Sequence, residues 1–110
     1  MTNEVGRIPR HDLQLYRGDT EVFVFRITQG GQPVAMAAED LDCMVEAAGY
    51  PPLRPQILTD GAGEIRLVFA PEATQGLLWQ SGEYDLQFAK DGVVRTLVRG
   101  KVTLEKDITR

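Results

Sequence analysis

The chain of 110 residues contains one cysteine, one histidine and one serine. A single cysteine excludes an intrachain disulfide. One cysteine with one histidine cannot make up the usual ligand set of a zinc site. Cys43 stands in the apolar run Leu41-Asp42-Cys43-Met44-Val45, the setting of a small buried hydrophobe. The only histidine, His11, lies in a polar N-terminal stretch, so no cysteine–histidine nucleophile pair is expected. Ser81, the only serine, precedes Gly82 in a turn-like setting and belongs to no nucleophile elbow. Gly61-Ala62-Gly63 lacks the remaining glycines of a nucleotide fingerprint, and no Gly-Lys-Ser/Thr occurs. The sequence therefore assigns no catalytic, cofactor or metal residue, and the expected function is not enzymatic.

Positive charge is also scarce. Twelve basic residues meet sixteen acidic ones, for a net charge of −4. Nucleic-acid binding needs a basic footprint that displaces counterions, and the only basic cluster is Arg95, Arg99 and Lys101. No nucleic-acid partner is expected. No apolar run approaches the ~20 residues of a spanning helix, so no membrane partner is expected either. Polar residues from Thr2 to Asp12 break up any signal-peptide core after Met1, which leads us to expect synthesis and folding in a cytoplasm.

What the chain does have is ordinary globular composition, 43% hydrophobic and 25% charged. Its length fits one domain. The polar residues 1–11 read as a flexible arm, followed by a single domain over 12–110. Leu13 and Leu15 open a period-two pattern, and Gly18-Asp19 breaks it. Glu21 to Thr28 is almost wholly β-branched or aromatic, with Phe23, Phe25 and Ile27 on one face and Val22, Val24 and Arg26 on the other. Ala35 to Asp42 predicts one helical or 3₁₀ turn. Leu41 to Ala47 alternates again, and the prolines at 51, 52 and 55 require a loop.

Asp60-Gly61 is a turn before a strand over 64–69, and Pro71 to Leu78 predicts a short helical turn. Ser81-Gly82 should stop it ahead of a strand over 83–88. Asp91-Gly92 is a hairpin signal, and the returning strand runs from Val93 to Glu105. Gly100 predicts a bulge or bend at which this strand could pass between sheets. Through strict alternation, Arg95, Leu97, Arg99 and Lys101 should share its outward face. About seven strands with frequent turns and one or two short helical turns point to an all-β, antiparallel sandwich.

Asp19, Asp60, Asp91 and Asp107 fall at turns or strand ends. They bond their own turn backbone or, if clustered, bind calcium. Tyr84, after Gly82 at the head of a late strand, either packs inward and bonds a loop backbone group, as a tyrosine corner does, or serves as a ligand-stacking surface, the inward role being favoured. Trp79 either caps the core or stands exposed as an anchor.

The series Leu15-Tyr16-Arg17-Gly18-Asp19-Thr20, Phe23, Phe25, Gly31, Pro33, Asp60-Gly61, Gly63, Leu78, Gly82, Tyr84-Asp85-Leu86-Gln87, Asp91-Gly92, Thr96-Leu97, Gly100, Val102 and Asp107-Ile108-Thr109-Arg110 resembles small phage and prophage structural proteins. In order, it is similar to the immunoglobulin-like N-terminal module of phage baseplate upper proteins. The chain departs from that pattern at Val34-Ala35-Met36-Ala37. The resemblance implies an immunoglobulin-like sandwich and a virion context, in tail, baseplate or head–tail region. On that footing the expected mode of action is burial of a surface against a neighbouring virion protein or against copies of itself. Gly18, Asp19, Asp60, Gly61, Gly82, Tyr84, Asp91, Gly92 and Gly100 then serve as turn, bulge and core positions. The candidate contact surfaces are Tyr50, Pro51, Pro52 and Leu53 in the proline loop, and Arg95, Leu97, Arg99 and Lys101 on the last strand. A carbohydrate- or receptor-binding module is the alternative, through Trp79, Tyr50 and the loop aspartates.

Overall fold

Each period-two stretch becomes a strand because one of its faces is apolar and must be buried. The computed structural model describes residues 8–106. Strands β1 (Leu13–Tyr16), β5 (Leu41–Glu46), β8 (Ser81–Lys90) and β9 (Val93–Glu105) form one sheet in the order β1-β9-β8-β5. Strands β2 (Glu21–Arg26), β6 (Gln56–Thr59) and β7 (Glu64–Phe69) form the other, in the order β2-β7-β6. Neighbours are antiparallel except β1, which runs parallel to β9 with Leu13 opposite Val102 and Leu15 opposite Leu104. A two-residue ladder between β3 (Thr28–Gln29) and β4 (Gln32–Pro33) closes on Gly30 and Gly31, both at positive φ. The fold is an immunoglobulin-like β-sandwich.

The core lies between the sheets. Leu13, Leu15, Cys43, Val45, Tyr84, Leu86, Val102 and Leu104 from the four-stranded sheet meet Ile65, Leu67 and Phe69 from the three-stranded one. Phe69 is fully buried, and its ring stands edge-on to Phe23 at 6.0 Å between centroids. A 3₁₀ turn at Ala38–Asp40 fills the ambiguous stretch before β5. Helix α1 (Pro71–Gln75) starts with proline at its first turn and ends at Gly76. It places Thr74 inside, where its hydroxyl accepts a bond from Gly18 N–H at 2.9 Å. Among the described residues, no helix is long and apolar enough to cross a membrane.

Three expectations change. Ser81 and Gly82 do not stop the chain before β8 but begin it. Glycine is needed at 82 because a Cβ there would lie 2.5 Å from the Glu46 carbonyl oxygen. Strand β9 stays in one sheet along its whole length, with no crossing at Gly100. Its irregularity falls three residues earlier: Val98 faces Leu86 and Thr96 faces Gln87, so Leu97 is the extra residue of a bulge. Gly100 is required for another reason, since a Cβ there would run into the His11 carbonyl oxygen. Strand β6, Gln-Ile-Leu-Thr, is an addition, being too short for its period to stand out after three prolines.

Candidate contact surfaces

The bulge decides which side chains of β9 share a face. Residues directly opposite on paired strands point the same way. Arg99 and Lys101 sit opposite Asp85 and Glu83 on the outer face of the four-stranded sheet. Beyond the bulge the phase inverts, and Arg95 lies opposite Phe88 on the side facing the core. Leu97 is half-buried and packs against the core. Of the expected outward group, Arg99 and Lys101 therefore stay together, Leu97 turns inward, and Arg95 belongs to the other face near the hairpin tip.

That outer face is banded by charge. Rows run Glu46–Glu83–Lys101 and Met44–Asp85–Arg99 across β5, β8 and β9. Acidic groups occupy the β5 and β8 columns and basic groups the β9 column, with like charges opposite at Glu46 and Glu83. Arg10 and Asp42 join this face around a shallow, open concavity of 450 Å³. Its ion pairs, Arg54 with Asp42 at 3.2 Å and Arg10 with Asp12 at 3.3 Å, are solvent-exposed and contribute little to stability.

The proline loop lies at the opposite edge of the same sheet. Leu53 exchanges both backbone bonds with Val45, at 2.8 and 2.9 Å, and is half-buried. Tyr50, Pro51 and Pro52 are exposed. Two strands, β8 and β5, separate Arg99 and Lys101 from this loop, a spacing of about 14 Å. The fold thus presents two separate surfaces.

A strap of backbone closes the flank between the sheets. Residues 1–7 of the expected arm lie outside the described residues, whereas Pro9 to Asp12 bond to β9. Arg99 N–H donates to the Pro9 carbonyl at 3.1 Å, and His11 N–H donates to the Arg99 carbonyl at 2.9 Å. The Tyr84 hydroxyl donates to the His11 carbonyl at 2.5 Å, and the His11 ring meets Phe25 of the other sheet edge-on at 5.6 Å. Burial pushes the Tyr84 phenol well above its ordinary range, with nearby Cys43 and Asp12 adding to the effect. Sequence pattern reaches Tyr84 but not its partner, because nothing in Arg10-His11-Asp12 signals pairing.

Lys101 N–H donates to Asp12 Oδ1 at 2.9 Å and holds that carboxyl below its ordinary value of 3.8, with Arg10 assisting against partial desolvation. The folded state favours the charged form, so this contribution is present above pH 3.8 and lost as pH falls through the lowered value. Asp12→Asn should lower the melting temperature at neutral pH, and the gap from the parent should close in acid. A gap independent of pH would contradict this assignment.

The turn residues are occupied by the architecture. Asp60 accepts bonds from the Ala62 and Glu64 N–H groups at 2.7 and 3.1 Å, and these bonds lower its pKa. Gly18 and Gly61 take positive φ. Asp91 and Gly92, at φ 53 and 80, form the two-residue turn of the β8–β9 hairpin. Asp19 N–H bonds the Tyr16 carbonyl at 3.1 Å, and Asp107 lies outside the described residues. Among the described residues, no three histidine, cysteine or acidic side chains converge as a metal site. Trp79 is 7% exposed and belongs to the core. Burial, with Asp85 and Asp42 adding, pushes the Cys43 thiol up to about 12. A thiol reagent at pH 8 should leave the native protein unlabelled and modify Cys43 only in denaturant; labelling at equal rates in both would contradict the burial.

No protein-family model matches the chain, and no curated protein sequence matches it. Solved structures do. One is the N-terminal domain of phage TP901-1 ORF48, with 17% identity over 87% of this chain and 86% of that one, at a TM-score of 0.48. Another is a candidate glycoside hydrolase from Bacteroides vulgatus, with 14% identity, 86% of this chain and a TM-score of 0.50; the match spans 16% of that protein. A third is the extracellular fragment of novel immune-type receptor 11 from Ictalurus punctatus, with 9% identity, 90% and 86% of the two chains covered and a TM-score of 0.45.

Proposed function

We propose that this chain is a non-enzymatic phage or prophage virion module, acting in the tail, baseplate or head–tail region through protein–protein contacts. The observation that carries this reading is how the phage-like series is spent. Gly18, Asp60, Gly61, Gly82, Tyr84, Asp91, Gly92 and Gly100 are all taken up by turns, close backbone approaches or the strap. What the domain offers a partner is shape and charge. The banded sheet face, with Arg99 and Lys101 against Glu83 and Asp85, supports one contact; Tyr50, Pro51 and Pro52 support another. The module is made in a bacterial cytoplasm and carried into the particle, with other virion proteins and copies of itself as partners.

The carbohydrate- or receptor-binding reading draws on Trp79 and Tyr50 as stacking surfaces. Trp79 is in the core, and of this pair Tyr50 alone is exposed, at 40%. The assembly reading is therefore preferred. Its test is proteomic. Peptides of this chain should co-purify with intact particles after induction of the host strain, in stoichiometric proportion to other structural proteins. Recovery of the chain only in the soluble lysate, with particles complete without it, would overturn the reading.

A further inference from the structure

We infer that the open edge of β2 pairs, antiparallel, with the same edge of a second copy of this chain. The backbone ladder fixes which groups are on offer. Ile27 N–H donates to the Gly63 carbonyl at 2.8 Å, in line with Arg26 opposite Glu64. Bonded pairs recur at every second residue of an antiparallel ladder. Glu21, Phe23 and Phe25 therefore turn their N–H and C=O towards β7. Those of Val22, Val24 and Arg26 point to the open side. The far side of β7 agrees with this parity, since Asp60 N–H bonds the Glu64 carbonyl at 3.3 Å. Among the described residues, strand β2 has no other strand neighbour and no backbone bond reaches its open side.

The other edges are protected in the ways natural sheets use. Strand β6 is short and follows Pro55; β5 is covered by Leu53; β1 has four residues; the uncovered part of β9 carries the Leu97 bulge. Strand β2 has six residues in unbroken register, with no proline, lysine or bulge. Val22 and Val24 are 50% and 45% exposed, and the inward-pointing Phe23 and Phe25 are only half-buried. An unprotected apolar edge of this kind accepts an added strand.

The edge is complementary to itself. With Val24 on a two-fold axis, Val24 faces Val24 of the second copy, and Val22 and Arg26 face Arg26 and Val22. Every outward group from these residues is then bonded. On the core side, Phe23 faces Phe25 of the second copy and Glu21 faces Ile27, so no like charges meet. Centring on Phe23 instead would require Arg26 to bond with Thr20, outside the strand, whereas centring on Val24 keeps every bonded pair within β2 and leaves only the non-bonded Glu21–Ile27 pair reaching past it. The contact is isologous and closed, so it stops at a dimer. One strand pair is small beside a standard interface of about 1,600 Å², so association should be weak and concentration-dependent.

This deepens the assembly reading by naming one partner, and it rests on that reading only in treating contact as the function. The two fail separately: self-association is measured on the isolated chain and particle incorporation in the lysate. In sedimentation equilibrium of the full chain, the mass should rise from 12.2 kDa towards twice that value between micromolar and millimolar concentration. Val24→Lys puts two like charges on the axis and should weaken the dimer at least tenfold with the melting temperature unchanged. Leu58→Lys, on the same sheet face but off this edge, should not. Under oxidation Val24→Cys should crosslink, because facing Cα atoms about 5.5 Å apart lie within disulfide reach; Val22→Cys should not. A monomer throughout, a dimer indifferent to Val24→Lys, or equal crosslinking at 22 and 24 would overturn the proposal.

Discussion

Shortening Phe69 to alanine is expected to cost the domain about 3–5 kcal/mol, the range for deleting a buried aromatic ring. Phe69 is wholly inaccessible, stands edge-on to Phe23 and ends β7 before the turn into α1. The cavity would open in the core between the two sheets, and the paired strands leave little scope for collapse. A domain of this size has only about 5–15 kcal/mol in total, so much of the margin would go. Urea denaturation followed by circular dichroism measures it as a drop in midpoint at constant slope. Leu78→Ala, at a side chain 77% exposed, is the matched control and should stay within about 0.5 kcal/mol. If the two variants lost equal stability, the core as described would be wrong.

Replacing Gly100 by alanine should detach the strap. The new Cβ would need the space held by the His11 carbonyl, which is fixed backbone on one side and the acceptor of Tyr84 on the other. Moving it breaks the Tyr84 bond and strains the pairing of Pro9 and His11 with Arg99. At about 1 kcal/mol net for each bond, and with partial relaxation, the loss should be about 2–3 kcal/mol. Tyr84→Phe alone should cost about 1–1.5 kcal/mol. The decisive measurement is the double variant. Once Gly100→Ala has moved His11, deleting the hydroxyl should cost less than it does in the parent. Strict additivity would mean that Gly100 and Tyr84 do not act on the same strap.

These effects separate what could be read from the sequence from what could not. The six-residue alternation of β2, the Asp91-Gly92 turn and the inward Tyr84 follow from side-chain period and turn chemistry, which are local properties. The bulge at Leu97 is different. Nothing in Val-Val-Arg-Thr-Leu-Val-Arg marks one residue as surplus, because the mismatch exists only against β8. That single residue divides the expected contact group, leaving Arg99 and Lys101 together and sending Arg95 to the opposite face. Gly100 shows the same limit. Its glycine was legible as an irregularity, but the cause is a carbonyl from the start of the chain, which no local window contains. Trp79 stood open between core and surface because its burial depends on a cluster drawn from both sheets. Contact surfaces are the least legible part, since they depend on which faces survive after every long-range pairing has been made.

The parallel pairing of β1 with β9 has a consequence for how the chain is born. Asp12 and its partner Lys101 are 89 positions apart, and Leu13 and Leu15 find their strand neighbour only at the end of the chain. At translation speeds of about 5–20 residues per second, the first strand waits roughly 4–18 seconds for the last to be made. During that interval a nascent chain carries two exposed leucines and an unclosed sheet. A topology dominated by such distant contacts also belongs to the slow end of small-domain folding, with times of about milliseconds to seconds. The sandwich is completed only once β9 has been made, and a chain truncated before it should be a substrate for proteases and chaperones.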